Sequence, residues 1–343
     1  MRYATLGGSG IHVPRICIGT MTFGNPLTEE ECERLVSAAL DLGINFFDTA
    51  DVYEGYDRSW GSHGGVSETI LGKTLKGRRH RAVICTKFGN PAGTGPLDAG
   101  LSTRHLERQL ESSLRRLQTD HVDVFLAHRW HGGTAMEDFL RVCERWVQSG
   151  KVRAVGSSNW PVWRITQAAE LAHSGGGPPL RVASPKYNLM RRGPELEQAA
   201  CNRHYGIAMV PYQPLEAGVL SGKYRRGHEA PAGSRGNEKP GWIPKLEESQ
   251  YQALEALGRL AGEAGATMAE YSVAWVLSRP GVASAILGIR NEEQLQEAVR
   301  AVALTLPPHH QAQLDALFPP PSPMGDERIL QWRDSGWVLE ASE

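Results

Sequence analysis

Short apolar runs and helix-period stretches alternate along almost the whole chain. Eight runs read as strands, at 15–20, 45–50, 82–87, 122–128, 152–158, 181–187, 207–212 and 283–288. None alternates strictly between apolar and polar positions, as expected of strands buried on both faces of a parallel sheet. Helical patterns fill the intervals. Thr28 and Glu31 have capping-box spacing, Cys32, Leu35, Val36, Ala39 and Leu40 then form one apolar face, and Gly43 ends the pattern. After Ser102, leucines 106, 110, 114 and 117 recur at helical spacing. Further helices are predicted around 64–76, 135–149, 160–173, 192–203, 248–278 and 291–302.

Eight β-then-α units predict an α/β fold closed into a (β/α)8 TIM barrel rather than an open doubly wound sheet. The alternative is a Rossmann-like sheet, but the G-x-G-x-x-G fingerprint after a first strand is missing. "TLGGSGIHV" reads instead as the turn of a short N-terminal β-hairpin. Two segments stand outside the repeat. Residues 217–247, rich in Gly, Pro and basic residues, are too long for an ordinary connection, and 319–343 form an irregular C-terminal tail with Trp332 and Trp337. No domain boundary interrupts the pattern, so 1–343 reads as one domain.

Charge and composition narrow the field. With 37 basic against 38 acidic residues, nothing argues for nucleic acid or an anionic membrane as partner. The five Cys lie far apart without a CxxC pair, which suits reduced thiols better than a disulfide framework. The start lacks an apolar signal region, and no apolar run approaches the roughly 18 residues of a spanning helix. A soluble, cytoplasmic protein is expected, with an oligomer possible but not implied.

The active site of such a barrel lies at the C-terminal ends of its strands. There this sequence has Asp48, with Tyr53 in the following loop, then Lys87, His128, Ser157 to Asn159, Tyr212 and Arg290. Each alone has a structural reading as cap, surface residue or satisfied polar group. Together they have a chemistry. A phenol titrates at about 10, a nearby ammonium lowers that value, and a carboxylate keeps the ammonium charged. Asp48 would serve Lys87, Lys87 would serve Tyr53, and His128 would orient a carbonyl oxygen or join the proton path. The set suits proton donation to a developing alkoxide and lacks a nucleophile for acyl transfer. Near residue 288, Gly288, Arg290 and a helix opening at Asn291-Glu292 suit a phosphate. A metal reading of His128 and His131 lacks a third ligand.

These pieces carry a resemblance. "IGTMTFG", "GINFFDTADVYEG", "SETILGKTLKG", "VICTKFG", "LAHRW", "GKVRAVGSSNW", "KYNLMRR", "VPYQPLEAGVLSGKY" and "ILGIRNEEQLQEA" occur in order, and the chain resembles the aldo-keto reductase family over nearly its full length. The "HR" after the fourth strand resembles the bacterial and potassium-channel β-subunit branch more than the short mammalian steroid reductases. The resemblance implies NADPH-dependent reduction of a small carbonyl substrate, with NADP+ as the product cofactor and no metal. The tetrad falls on Asp48, Tyr53, Lys87 and His128, with Tyr53 as general acid. Cofactor contacts fall on Thr20, Met21, Ser158, Asn159, Ser184 and Tyr212, then on Leu215, Gly218, Leu220, Ser221 and Lys223 of the covering loop. The adenosine end falls on Gly288, Arg290, Gln294 and Glu297. Phe88, Trp130 and His131 are candidate pocket residues. Relatives that mainly bind the cofactor as regulatory or redox-sensing subunits give the alternative function. Three positions depart from the family pattern: Ser184 replaces a common Gln, Ala298 a common Asn, and Trp130-His131-Gly132-Gly133 replaces a Pro-Asp continuation.

Overall fold

A computed structural model describes residues 1–59, 62–95 and 97–321. The tail from 322, with Trp332 and Trp337, lies outside the described residues.

The chain opens with an antiparallel hairpin, β1 (Tyr3–Thr5) and β2 (His12–Pro14), paired Tyr3↔Pro14 to Thr5↔His12. Eight parallel strands follow: β3 (Ile16–Gly19), β4 (Phe46–Asp48), β5 (Val83–Phe88), β6 (Val122–Ala127), β7 (Val152–Ser158), β8 (Val182–Ser184), β9 (Ala208–Met209) and β10 (Ala285–Leu287). Their order is β10-β3-β4-β5-β6-β7-β8-β9, so sequence neighbours are spatial neighbours. The isolated bridges Met209↔Val282 and Tyr212↔Ile286 join the two ends. The result is the (β/α)8 barrel expected from the eight-fold alternation.

Helices surround it: α1 (Glu29–Asp41), α2 (Val66–Thr74), α3 (Thr103–Leu117), α4 (Met136–Gln148), α5 (Val162–His173), α6 (Gln198–His204), the single turn α7 (Arg235–Glu238), α8 (Glu248–Glu263), α9 (Met268–Ser278), α10 (Glu292–Ala303) and α11 (Pro308–Leu317). The Thr28–Glu31 capping box is formed, and its apolar face is buried as the spacing predicts. The expected helix over 248–278 is two helices. The chain turns at Ala264–Ala266, and Thr267 starts α9 with its own capping box to Glu270. The helix expected from 192 is a 3-10 turn at Gly193–Glu195 followed by the shorter α6.

Side-chain alternation divides the core into two shells. Cys17, Phe46, Cys85, Val124, Ala154, Val182 and Ala208 face the barrel axis, where Leu6 and Val13 of the hairpin region join them. Ile18, Phe47, Ile84, Phe125 and Val155 face outward beneath the helices. The hairpin therefore packs on the interior apolar layer, while polar residues take over the same axial face toward the other end. Among the described residues, no helix is long and apolar enough to cross a membrane.

Candidate active site

The axial face of β4 passes from Phe46 to Asp48, and that of β5 from Cys85 to Lys87. A carboxylate and an ammonium thereby enter a nearly dry interior, each side chain 4% exposed. Lys87 Nζ donates to Asp48 Oδ2 at 2.5 Å, to the Thr49 carbonyl at 2.9 Å and to Tyr53 Oη at 3.0 Å. All three ammonium donors are thus used, which makes a buried charge tolerable. Tyr53 reaches the ammonium because the chain turns after Ala50, with Tyr53 N–H bonded to the Ala50 carbonyl. The His128 ring meets the Tyr53 ring edge-on at 5.9 Å between centroids.

The electrostatics differ from the sequence expectation at one point. Burial pushes the Tyr53 phenol above its ordinary value, and the opposing pull of Lys87 does not overcome it. Tyr53 is a firmly protonated phenol rather than one drawn toward neutrality. Burial would lower Lys87, but Asp48 and then Tyr53 hold its value above the usual ammonium range. Burial raises Asp48 against the pull of Lys87. His128 is driven well below its ordinary value by burial and by Lys87, Arg129 and Arg58, so it is neutral at physiological pH.

A cavity of about 460 Å3 opens from this group along the C-terminal rim. It is lined by the tetrad residues together with Met21, Ser158, Asn159, Tyr212, Leu215, Gly218, Ser221, Lys223, Gly288, Arg290, Gln294 and Glu297. Beside the tetrad, Tyr212 Oη donates to Asn159 Oδ1 at 2.7 Å, and Ser158 Oγ donates to the Ser184 carbonyl at 2.9 Å. Ser184 Oγ is buried with no partner, and Ser184, unlike Ser158 and Asn159, does not line the cavity. At the far end, a Cβ on Gly288 would find its nearest neighbour, Arg235 Nη2, at 3.8 Å, so the backbone there is open to close approach. Asn291 caps α10 through its side chain, and Lys223, Arg235 and Arg290 share this end. The paired Asn159 amide and Tyr212 phenol at one end and a helix N-terminus with three cations at the other fit a nicotinamide dinucleotide.

Several predicted residues lie elsewhere. Thr20 is wholly buried behind the cavity, bonding the Asp48 carbonyl at 3.1 Å and Ser67 Oγ at 2.6 Å. Leu220 is in the core, its carbonyl held by Ser272. Phe88 does not line this cavity. It follows the inward-facing Lys87 and so points outward, packing on Phe125, Phe139 and Trp146. Trp130 packs on Trp160 and under the Arg164 guanidinium, and His131 lies beside Gly89. Arg290 is already engaged: its guanidinium donates to the Gly233 carbonyl at 2.8 Å and to Glu238 at 2.9 Å, and also contacts Tyr56 Oη. Gln294 accepts from Arg290 N–H at 2.8 Å, and Glu297 accepts from Thr267 at 2.7 Å.

Sequence reasoning missed Arg235. Arg235 sits in an aperiodic segment, and only its Gly- and Arg-rich surroundings hinted at a phosphate. Asp51 is in a turn and fully buried, with both carboxylate oxygens unpartnered. Burial and neighbouring Glu68 raise it well above the carboxylate range. Glu68 is itself held by Thr86 at 2.5 Å and Arg116 at 2.7 Å.

Comparisons with known proteins agree with this architecture. The model of the Aldo/keto reductase family matches residues 15–318. The chain is 35% identical to "Uncharacterized oxidoreductase YrpG" of Bacillus subtilis (strain 168), over 94% of this chain and 97% of that protein. It is 34% identical to proteins named "Probable voltage-gated potassium channel subunit beta" in Oryza sativa subsp. japonica and Arabidopsis thaliana. Each of those alignments covers 88% of this chain and 91% of the relative. The chain belongs to the aldo/keto reductase family of oxidoreductases.

Proposed function

We propose that the protein is an NADPH-dependent reductase that converts an aldehyde or ketone to an alcohol. The observation that carries this is the chain Asp48–Lys87–Tyr53 beside a neutral His128, all facing one cavity. A bound nicotinamide would supply the hydride. Every proton and charge is then handled by the side chains. Neutral His128 offers an imidazole N–H to the carbonyl oxygen and orients it toward Tyr53. As the oxygen becomes an alkoxide, Tyr53 Oη gives up its proton. Lys87, 3.0 Å away, stabilises the phenolate left behind, and Asp48 keeps Lys87 charged throughout. Ser158 and Asn159 would hold the carboxamide, with Tyr212 against the ring. Lys223, Arg235 and Arg290 would meet the phosphates, which favours NADPH over NADH.

Tyr53→Phe removes the proton and leaves the ring in place. Turnover of an aldehyde with NADPH is expected to fall by ~10²–10⁴-fold while NADPH still binds; retained turnover would remove Tyr53 from its role. Arg290→Ala is expected to weaken NADPH at least about tenfold, through loss of a charge-assisted hydrogen bond, with little effect on NADH. An equal loss for both dinucleotides would sink the 2′-phosphate assignment. The second reading, a nicotinamide-binding regulatory or redox-sensing subunit with slow turnover, draws on the names of the two plant relatives. Tight NADPH binding without reduction across a panel of carbonyl compounds would favour it.

A further inference from the structure

The cavity carries positive charge at both ends. One group, Lys223, Arg235 and Arg290, lines the α10 end, where the phosphates of a dinucleotide would answer it. The other group is beside the tetrad. Lys87 there is matched by Asp48, but Arg129, the residue after His128, also lines the cavity. It shares that wall with His128, its neighbour in the chain, and with Asn159 and Tyr212. Arg58, whose Nη1 donates to the Val52 carbonyl at 3.1 Å, adds a second positive charge acting on His128.

No carboxylate answers Arg129 among the described residues. Those near the cavity are committed elsewhere: Asp48 to Lys87, Glu238 to Arg290, Glu216 to Lys186 and Arg191, Glu270 to Arg300, and Glu297 to Thr267. Arg129 is also exposed, so it is free to meet a solute entering the mouth. A planar guanidinium beside the reacting centre is suited to a carboxylate or phosphate, which it can grip with two parallel hydrogen bonds.

We propose that the carbonyl substrate carries an anionic group, carboxylate or phosphate, and that Arg129 binds it beside His128. This rests on the reductase reading above. The test compares matched neutral and anionic aldehydes with NADPH: butanal against succinic semialdehyde, and 4-methylbenzaldehyde against 4-carboxybenzaldehyde. In the wild-type protein kcat/KM favours the anionic member of each pair, and 0.5 M NaCl shrinks the preference because an exposed charge is screened. Arg129→Ala lowers the anionic-to-neutral ratio about tenfold, and Arg129→Lys restores part of it. A ratio that Arg129→Ala leaves unchanged overturns the proposal. So does an equal fall for both members accompanied by weaker NADPH binding, which would assign Arg129 to the cofactor. If no aldehyde is reduced, the reductase reading fails, and calorimetry with NADP+ present still decides the anion site. Benzoate binding tighter than benzamide, with the difference lost in Arg129→Ala, supports it, and equal binding overturns it.

Discussion

Burial acts on the titratable groups of the rim in opposite senses, and each sense has a pH signature. His128 is depressed below an ordinary value near 6.5, so it stays neutral where a free imidazole would charge. Below about that pH the unfolded chain binds a proton that the folded one refuses, and stability falls as pH drops toward the folded value. Tyr53 is raised, so it keeps its proton through neutrality. The rate of reduction should therefore show no inflection between about pH 6.5 and 8, and should decline only on the alkaline side of about pH 10. A steady-state pH profile checks this, and a break near 6.5 would mean that His128 titrates normally. Asp51 runs the other way. Above about pH 4 the unfolded chain releases a proton that folded Asp51 retains, so this residue costs stability as pH rises toward its folded value. Asp51→Asn copies the shape of the protonated acid. It should melt higher than the wild type at pH 8, with the gap closing toward pH 4 in calorimetric scans.

At the scale of elements, the start of α9 joins folding to the site. Thr267 Oγ1 accepts from the Glu270 N–H and also donates to Glu297 at the cavity edge. Thr267→Ala should cost about 1 kcal/mol from the lost cap. It should also weaken NADPH binding by freeing Glu297, and a stability loss with unchanged affinity would separate the two roles. This element also marks where sequence reading stops. The apolar pattern of 248–278 runs through the break, because Gly262, Gly265 and Ala266 are compatible with either a continued helix or a turn. Phe88 shows the same limit. Its strand was legible, but an aromatic beside a rim lysine could be assigned to the pocket only by ignoring the two-residue alternation that sends it outward.

For the molecule as a whole, the barrel and tetrad were legible because both follow from a repeated local rule: a strand, a helix, and polar residues where each strand ends. The phosphate end was legible only in part. Gly288 and Arg290 lie next to a strand and a capped helix, whereas Arg235 reaches the same spot from a segment with no period, where only tertiary contacts decide position. The junction of β9 with β10 carries a consequence for dynamics. Elsewhere neighbouring strands share ladders, but this junction is held by two isolated bridges and by hydrogen bonds from Met209, Ala283 and Ile286. It is a seam, and its amides should exchange with solvent deuterium before those of β5 and β6. The cavity wall after β9 includes Tyr212, Leu215 and Lys223, and the wall after β10 includes Gly288 and Arg290, so a dinucleotide lying between them would staple the seam shut. NADPH at a hundred times its Kd should then slow opening there by up to about 2.7 kcal/mol. Hydrogen exchange resolved to these amides, with and without NADPH, measures it, and a seam indifferent to the nucleotide would mean that the barrel closes without the cofactor's help.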